Sequence, residues 1–231
     1  MDWIAGLKAV SFDADGTLWD FQGTMRRSLG KALDELEKTD PLAATELTVD
    51  EMIQIRDRVA RDLKGEISNH EKIRLEAFKE TLRVAGRPDD ALATHLTELY
   101  LRHRFGDIEL YVDVLPTLGV LRKKYTLGII SNGNSHPDRC GLEGYFQFVV
   151  LSEDHGVEKP DPRIFEIALE EAGCSRGEIL HVGDSEADIV GASEARIRCV
   201  WLNREGSDGG LDLKADIEIA SLTEMVELLG A

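Results

Sequence analysis

Four short stretches carry the residues able to do chemistry. Asp13-Ala14-Asp15-Gly16-Thr17 sets two carboxylates two positions apart in a turn, and Ser131-Asn132-Gly133 offers a hydroxyl beside small, amide-rich backbone. Lys159-Pro160 offers a cation, and Gly183-Asp184, with Asp188 one helical turn further on, offers two more carboxylates. Carboxylates gathered in one crevice repel one another unless a cation lies between them, and oxygen-only donors favour a hard ion such as Mg²⁺. An Asp is a competent nucleophile toward phosphorus. A second Asp nearby can give a proton to a leaving alkoxide, while a Ser, backbone amides and a Lys can hold phosphoryl oxygens. The reaction this inventory fits is phosphoryl transfer, where catalysis is mostly positioning and charge stabilisation. Singly, each stretch is an ordinary turn or loop; what distinguishes them is where they fall.

Each follows a separate predicted strand. Continuous apolar runs at Leu7 to Phe12, Thr126 to Ile130, Phe148 to Leu151, Ile179 to Val182 and Cys199 to Leu202 read as strands covered on both faces. Helical patterns at 114–124, 162–173, 186–195 and 221–229 alternate with them, and Ala215 to Ile219 reads as a sixth strand after a glycine-rich loop from Asn203 to Leu213. That alternation predicts an α/β fold with a Rossmann-like parallel sheet. In such a sheet the strands' carboxyl ends share one edge, where ligands bind. Residues 13, 15, 131, 159 and 184 are therefore expected to converge.

The assignment of roles follows. Asp13 is the expected nucleophile and Asp15 the acid and base. Asp13 and Asp184 ligate Mg²⁺ through their side chains and Asp15 through its backbone carbonyl. Ser131 and Lys159 assist catalysis and bind phosphate, together with Gly16, Thr17, Asn132 and Gly133.

Between the first two strands the pattern changes. Met25, Leu29, Leu33 and Leu36 fall on one helical face, as do Met52, Ile55, Val59 and Leu63. Leu75, Phe78 and Leu82 make a third stripe, and Leu92, Leu96 and Leu99 a fourth. This predicts a four-helix insertion, with residues 20–106 as one domain and residues 1–19 and 107–231 as the other. The stripes themselves read as core.

Composition narrows the partners. With 44 acidic against 27 basic residues the formal net charge is −17. That argues against nucleic acid or an anionic membrane, which are bound by clustered Lys and Arg. A small phosphorylated metabolite remains possible because a bound cation and Lys159 overcome the long-range repulsion locally. Cys140, Cys174 and Cys199 form no CxxC pair, which suggests reduced thiols in a cytosol. The first residues lack a signal peptide's basic start and apolar run, and no segment reaches the ~20 apolar residues of a membrane helix. A cytoplasmic protein is expected, as a monomer or homodimer.

The motifs also resemble a known family. Val10-Ser11-Phe12-Asp13-Ala14-Asp15-Gly16-Thr17-Leu18, Ile130-Ser131-Asn132-Gly133, Glu158-Lys159-Pro160-Asp161-Pro162 and Val182-Gly183-Asp184-Ser185-Glu186-Ala187-Asp188 are similar, in order, to the four motifs of the haloacid dehalogenase superfamily. The resemblance spans about 7 to 202. It implies a Rossmann-like core, Mg²⁺, a phosphorylated first Asp, and a role for Asp188 in orienting the metal site or Lys159. The helical insertion resembles the superfamily's type-one cap, which closes over the site and selects the substrate. Trp19 and Asp20 follow the nucleophile closely enough to face the substrate, with packing at the hinge as the alternative for Trp19. Asp15 argues against a 2-haloacid dehalogenase, whose first motif resembles this one without the second Asp. Gly183-Asp184 resembles the phosphatases more than the sugar-phosphate mutases. A phosphoacceptor switch and an inactive scaffold are weaker alternatives, the first because its carboxylates fall on different strands.

Overall fold

The computed structural model describes residues 4–67, 69–207 and 215–231. The chain divides into two compact units, Met1–Asp20 with Glu109–Ala231, and Phe21–Ile108.

The first unit is built on six parallel strands: β1 (Ala9–Phe12), β2 (Thr126–Ser131), β3 (Phe148–Leu151), β4 (Ile179–Gly183), β5 (Arg198–Leu202) and β6 (Ile217–Ile219). Their order is β3-β2-β1-β4-β5-β6, so the chain winds outward from β1 in one direction and then crosses back to wind outward in the other. The reversal lies between β1 and β4, and the crevice beyond such a reversal is where open α/β sheets bind ligands. β1, β2 and β4 are nearly or wholly buried along their length, as their unbroken apolar runs require. Of the glycine-rich segment expected as a loop, residues 208–213 lie outside the described residues.

The second unit is helical, with α1 (Phe21–Thr39), α2 (Pro41–Thr45), α3 (Val49–Asp62), α4 (His70–Val84) and α5 (Asp90–Gly106). The expected four helices gain a fifth, short one. Asp40 caps it through Ala43 N–H and Pro41 occupies its first turn. Read only as punctuation, Asp40-Pro41 is in fact a helix start. The caps of α3 (Thr48), α4 (Asn69) and α5 (Asp89) follow the same rule. Met25, Leu29, Leu36, Met52, Phe78, Leu82 and Leu96 form the unit's core, with Leu33, Val59, Leu75 and Leu92 partly buried against it. Fully burying side chains of this size stabilises by about 1.5–3 kcal/mol each.

Helices α6 (Val114–Leu121), α7 (Ser152–His155), α8 (Arg163–Ala172), α9 (Glu186–Glu194) and α10 (Glu224–Leu228) complete the first unit. Apart from α7, which the sequence did not suggest, they fall within the helices expected there. Ile164, Phe165 and Ala168 of α8 and Ile189 and Ala192 of α9 pack in one core with Ile130, Val150 and Ile179 of the sheet.

Candidate functional site

The polar residues that follow β1, β2 and β4 meet at the carboxyl edge of the sheet. Asp13 continues β1, its N–H donating to Val182 O of β4 at 2.8 Å. Its carboxylate, that of Asp184 after β4 and that of Asp188 in the first turn of α9 bring oxygens within 4.8 Å of one another. Lys159 binds into this group. Its ammonium donates to Asp13 Oδ1 at 2.5 Å, to Asp188 Oδ1 at 2.5 Å and to Ile130 O at 2.8 Å. All three donors of an ammonium are thereby used, and only 2% of the side chain is exposed.

The loops are shaped to reach this geometry. Gly16 has φ +90°, and a Cβ there would lie 2.4 Å from Asp184 Oδ2, so glycine lets the backbone of the first loop approach the carboxylate after β4. The Thr17 hydroxyl donates to Asp184 Oδ1 at 2.7 Å. Expected among the phosphate contacts, it holds a carboxylate instead. Asp15 lies against the loop after β2, where a Cβ on Gly133 would come within 2.6 Å of its Oδ2. Asp15 Oδ1 accepts the indole N–H of Trp19 at 2.6 Å. Trp19 itself is fully buried, so this residue packs and holds Asp15. Gly133 N–H donates to Ser131 Oγ at 3.1 Å, and Ser131 is buried. The Asn132 side chain is occupied: its Oδ1 accepts from Lys159 N–H at 2.7 Å and its Nδ2 donates to Lys159 O at 2.8 Å. Asn132 therefore positions the backbone that carries Lys159.

Asp188 is wholly buried and hydrogen-bonded at both oxygens. Oδ1 receives Lys159 and, at 3.0 Å, His181 Nε2; Oδ2 receives the N–H and hydroxyl of Ser185 at 3.0 and 2.5 Å. Ser185 and Asp188 form a capping box at the start of α9. The Ser-x-x-Asp spacing is a sequence signal for it. Behind this lies a pair that the sequence reading passed over. His181 Nδ1 sits 3.0 Å from Ser11 Oγ, and the two residues are register partners in adjacent strands. A polar residue inside an otherwise apolar buried run needs a hydrogen-bonding partner, and Ser11 and His181 were visible as such. Burial lowers the His181 pKa, although Asp188 opposes this. A neutral ring then accepts from Ser11 and donates to Asp188.

The electrostatics show what the site lacks. Burial, with Asp188 and Asp184 nearby, pushes the Asp13 carboxyl well up despite Lys159. Burial also raises Asp184 to about 6, with Asp188 adding to the effect and Thr17 opposing it. Burial works against ionisation of Asp188 too, but Lys159 and His181 outweigh it and hold this carboxyl well below the usual range. Burial would likewise depress Lys159, but Asp13 and Asp188 keep it raised. One ammonium thus secures one carboxylate and leaves Asp13 and Asp184 short of positive charge. An all-oxygen donor set in that condition fits a hard divalent ion. Since both oxygens of Asp188 are committed, Asp13 and Asp184 are the side chains that can hold the ion.

Comparison with known proteins agrees with this architecture. Residues 7–196 match the model of a family described as haloacid dehalogenase-like hydrolase. The chain is 28% identical over 234 residues to the 5-amino-6-(5-phospho-D-ribitylamino)uracil phosphatase YigB of Escherichia coli, covering 98% of each chain. It is 38% identical to the pyrimidine 5'-nucleotidase YjjG of the same organism over 68% of this chain and 69% of that one. Among solved structures, one described as a 2-haloacid dehalogenase from Pseudomonas syringae superposes with a TM-score of 0.81 and 33% identity, covering 97% of this chain and 98% of that chain.

Proposed function

We propose, because the chain belongs to the haloacid dehalogenase-like hydrolases, that it is a Mg²⁺-dependent phosphatase of small phosphate monoesters acting through a phosphoaspartate at residue 13. The observation that carries the reading is the placement of Asp13: at the sheet's reversal, 2.5 Å from the Lys159 ammonium and grouped with Asp184. The relatives YigB and YjjG, a phosphatase and a nucleotidase, support the same reaction class.

Asp13 attacks phosphorus, and its P–O bond forms as the ester P–O bond breaks. Asp15 gives its proton to the departing alkoxide. Water then attacks the phosphorus of the phosphoaspartate while Asp15 takes a proton from it, which releases phosphate and restores the Asp13 carboxylate. Lys159, fixed by Asp188 and by the backbone clamp of Asn132, neutralises charge beside Asp13 throughout. Ser131 and the backbone of Asn132 and Gly133 supply hydrogen bonds to the phosphoryl group. Asp13 and Asp184, with the Asp15 carbonyl, would hold Mg²⁺, whose charge would offset the repulsion between the Asp13 carboxylate and the phosphate. Thr17, Asp188 and Trp19 act through Asp184, Lys159 and Asp15. The helical unit serves as the substrate-selecting cap. We place the protein in the cytosol: its three cysteines are free, and no described helix is long and apolar enough to cross a membrane.

A second reading, 2-haloacid dehalogenase, has one observation in its favour, the likeness to the solved dehalogenase. Hydrolysis of p-nitrophenyl phosphate with Mg²⁺ and with EDTA, beside chloride release from 2-chloropropionate, separates the two. Turnover of the ester that requires Mg²⁺ is expected. Chloride release with no ester turnover would replace the phosphatase by the dehalogenase.

A further inference from the structure

The loop that leaves β5 carries an arginine that ties together two other segments of the first unit, the loop after β1 and the entry to α6. Asn203 closes the turn that presents it. Its N–H donates to Ile219 O at 2.8 Å, its Oδ1 accepts the Ser207 N–H at 2.9 Å, and its Nδ2 donates to Ser207 O at 2.8 Å. The next residue, Arg204, grips Asp113 with both terminal nitrogens, Nη1 to Oδ2 at 2.9 Å and Nη2 to Oδ1 at 3.0 Å. Nη2 also donates to Thr17 O at 2.9 Å, and the guanidinium lies 4.0 Å from the centre of the Tyr111 ring. Asp113 is fixed in its turn: its Oδ2 accepts the Ser221 hydroxyl and the Leu222 N–H, both at 2.8 Å.

As a source of stability this pair is weak. Only 18% of the Arg204 side chain and 7% of that of Asp113 are exposed, and a buried ion pair often contributes no more than apolar residues of similar volume. Arg204 Nε is also buried with no acceptor among the described residues. As a device for placing the Thr17 carbonyl the arrangement is well suited. The guanidinium fork is rigid, two bonds to one carboxylate fix its orientation, and the aromatic ring supports its face. Thr17 is the residue whose hydroxyl donates to Asp184 Oδ1 at 2.7 Å. A second tie reaches Asp184 from the same direction, since Trp201 of β5 donates its indole N–H to Asp184 O at 3.1 Å. Asp184 is thus held at its main chain by β5, and at its carboxylate by a residue that the loop after β5 holds.

We infer that Arg204 is a positioning residue for the cation site: by fixing Thr17 O it sets the Thr17 hydroxyl on Asp184, and so aims the carboxylate that is to receive Mg²⁺. The inference rests on the reading of Asp13 and Asp184 as the ligands of that ion, and adds to it a residue that acts only through Thr17. Removing a partner that orients a metal ligand typically costs on the order of 10–100-fold in metal affinity.

Titration calorimetry with MgCl₂ alone, no ester being present, tests this. Arg204→Met should weaken Mg²⁺ binding by about tenfold or more, and Arg204→Lys, which keeps one donor for Thr17 O, should recover part of the loss. Unfolded protein lowers the apparent stoichiometry and leaves the Kd of the folded fraction unchanged, so a variant that is merely destabilised does not mimic the result. Since the effect runs through Thr17, Arg204→Met should weaken binding far less in a Thr17→Val background than in wild type. An unchanged Kd in Arg204→Met, or a full and additive loss in the Thr17→Val background, would overturn the inference while leaving the cation site in place. Absence of Mg²⁺ binding by wild type would instead remove the cation reading, and the inference with it.

Discussion

At the scale of single residues, the site depends on Lys159. Its ammonium is buried between two carboxylates, and removing one partner of a buried charge group costs more than the pair itself contributes. Lys159→Met should therefore lower unfolding free energy by about 3–5 kcal/mol as well as stopping turnover. Denaturant unfolding measures this, and an unchanged midpoint would mean that the carboxylates do not need the ammonium. Asp15 makes a different kind of contribution, since its task is proton transfer. Asp15→Ala should slow esters of poor leaving groups far more than p-nitrophenyl phosphate, whose leaving group needs little protonation. Equal losses on both would remove Asp15 as the acid. His181 and Ser11 show why part of the site was hard to read. Their contact spans 170 positions, and strand register alone makes them neighbours. The Trp19 to Asp15 hydrogen bond is local, but nothing in the spacing distinguishes an indole that donates from one that only packs.

At the scale of elements, most of the core was legible because a parallel sheet requires unbroken apolar runs. β3 matches its expected run residue for residue, and β2 and β4 extend theirs by a single polar or glycine residue at the catalytic edge. Strand ends were less legible. β1 begins at Ala9 instead of Leu7, and Lys8 N–H donates to Glu178 O just outside the ladder. The helices were marked by periodicity, but α2 was missed because five residues are too few to show a period. The turn from β4 into α9 carries a prediction of its own. A Cβ on Gly183 would lie 2.2 Å from Asp188 Cγ, so only glycine lets the strand end so close to the carboxylate that fixes Lys159. Gly183→Ala should displace Asp188 and with it Lys159, and misplacement of about 1 Å costs on the order of 10²-fold in rate. Wild-type kcat in this variant, with far-UV circular dichroism unchanged, would show that the contact is not needed.

At the scale of the whole molecule, the overall charge and the charge at the site have opposite effects on an anionic ester. The net charge of −17 repels phosphate at long range, while the Lys159 ammonium lies 2.5 Å from the Asp13 carboxylate. The same balance governs stability. Without the ion, burial raises Asp184 from 3.8 to about 6. The folded chain then keeps a proton that the unfolded chain releases at lower pH. Stability from this group is fully present below about pH 4 and is lost as pH rises through about 6. In EDTA the Tm should therefore fall between about pH 4.5 and 7, and Mg²⁺ should raise Tm more at the upper pH. Asp184→Asn should flatten both effects, and a Tm indifferent to Mg²⁺ at pH 7 would count against a cation at this site.

The central claim is that Asp13 becomes phosphorylated, and borohydride trapping during turnover tests it most directly. Borohydride reduces an acyl phosphate to an alcohol, which leaves homoserine in place of aspartate. Peptide mass spectrometry should find that conversion at residue 13, only with both ester and Mg²⁺ present, and not in Asp13→Asn. Steady hydrolysis with residue 13 unmodified, or with the modification at another carboxylate, would contradict the account.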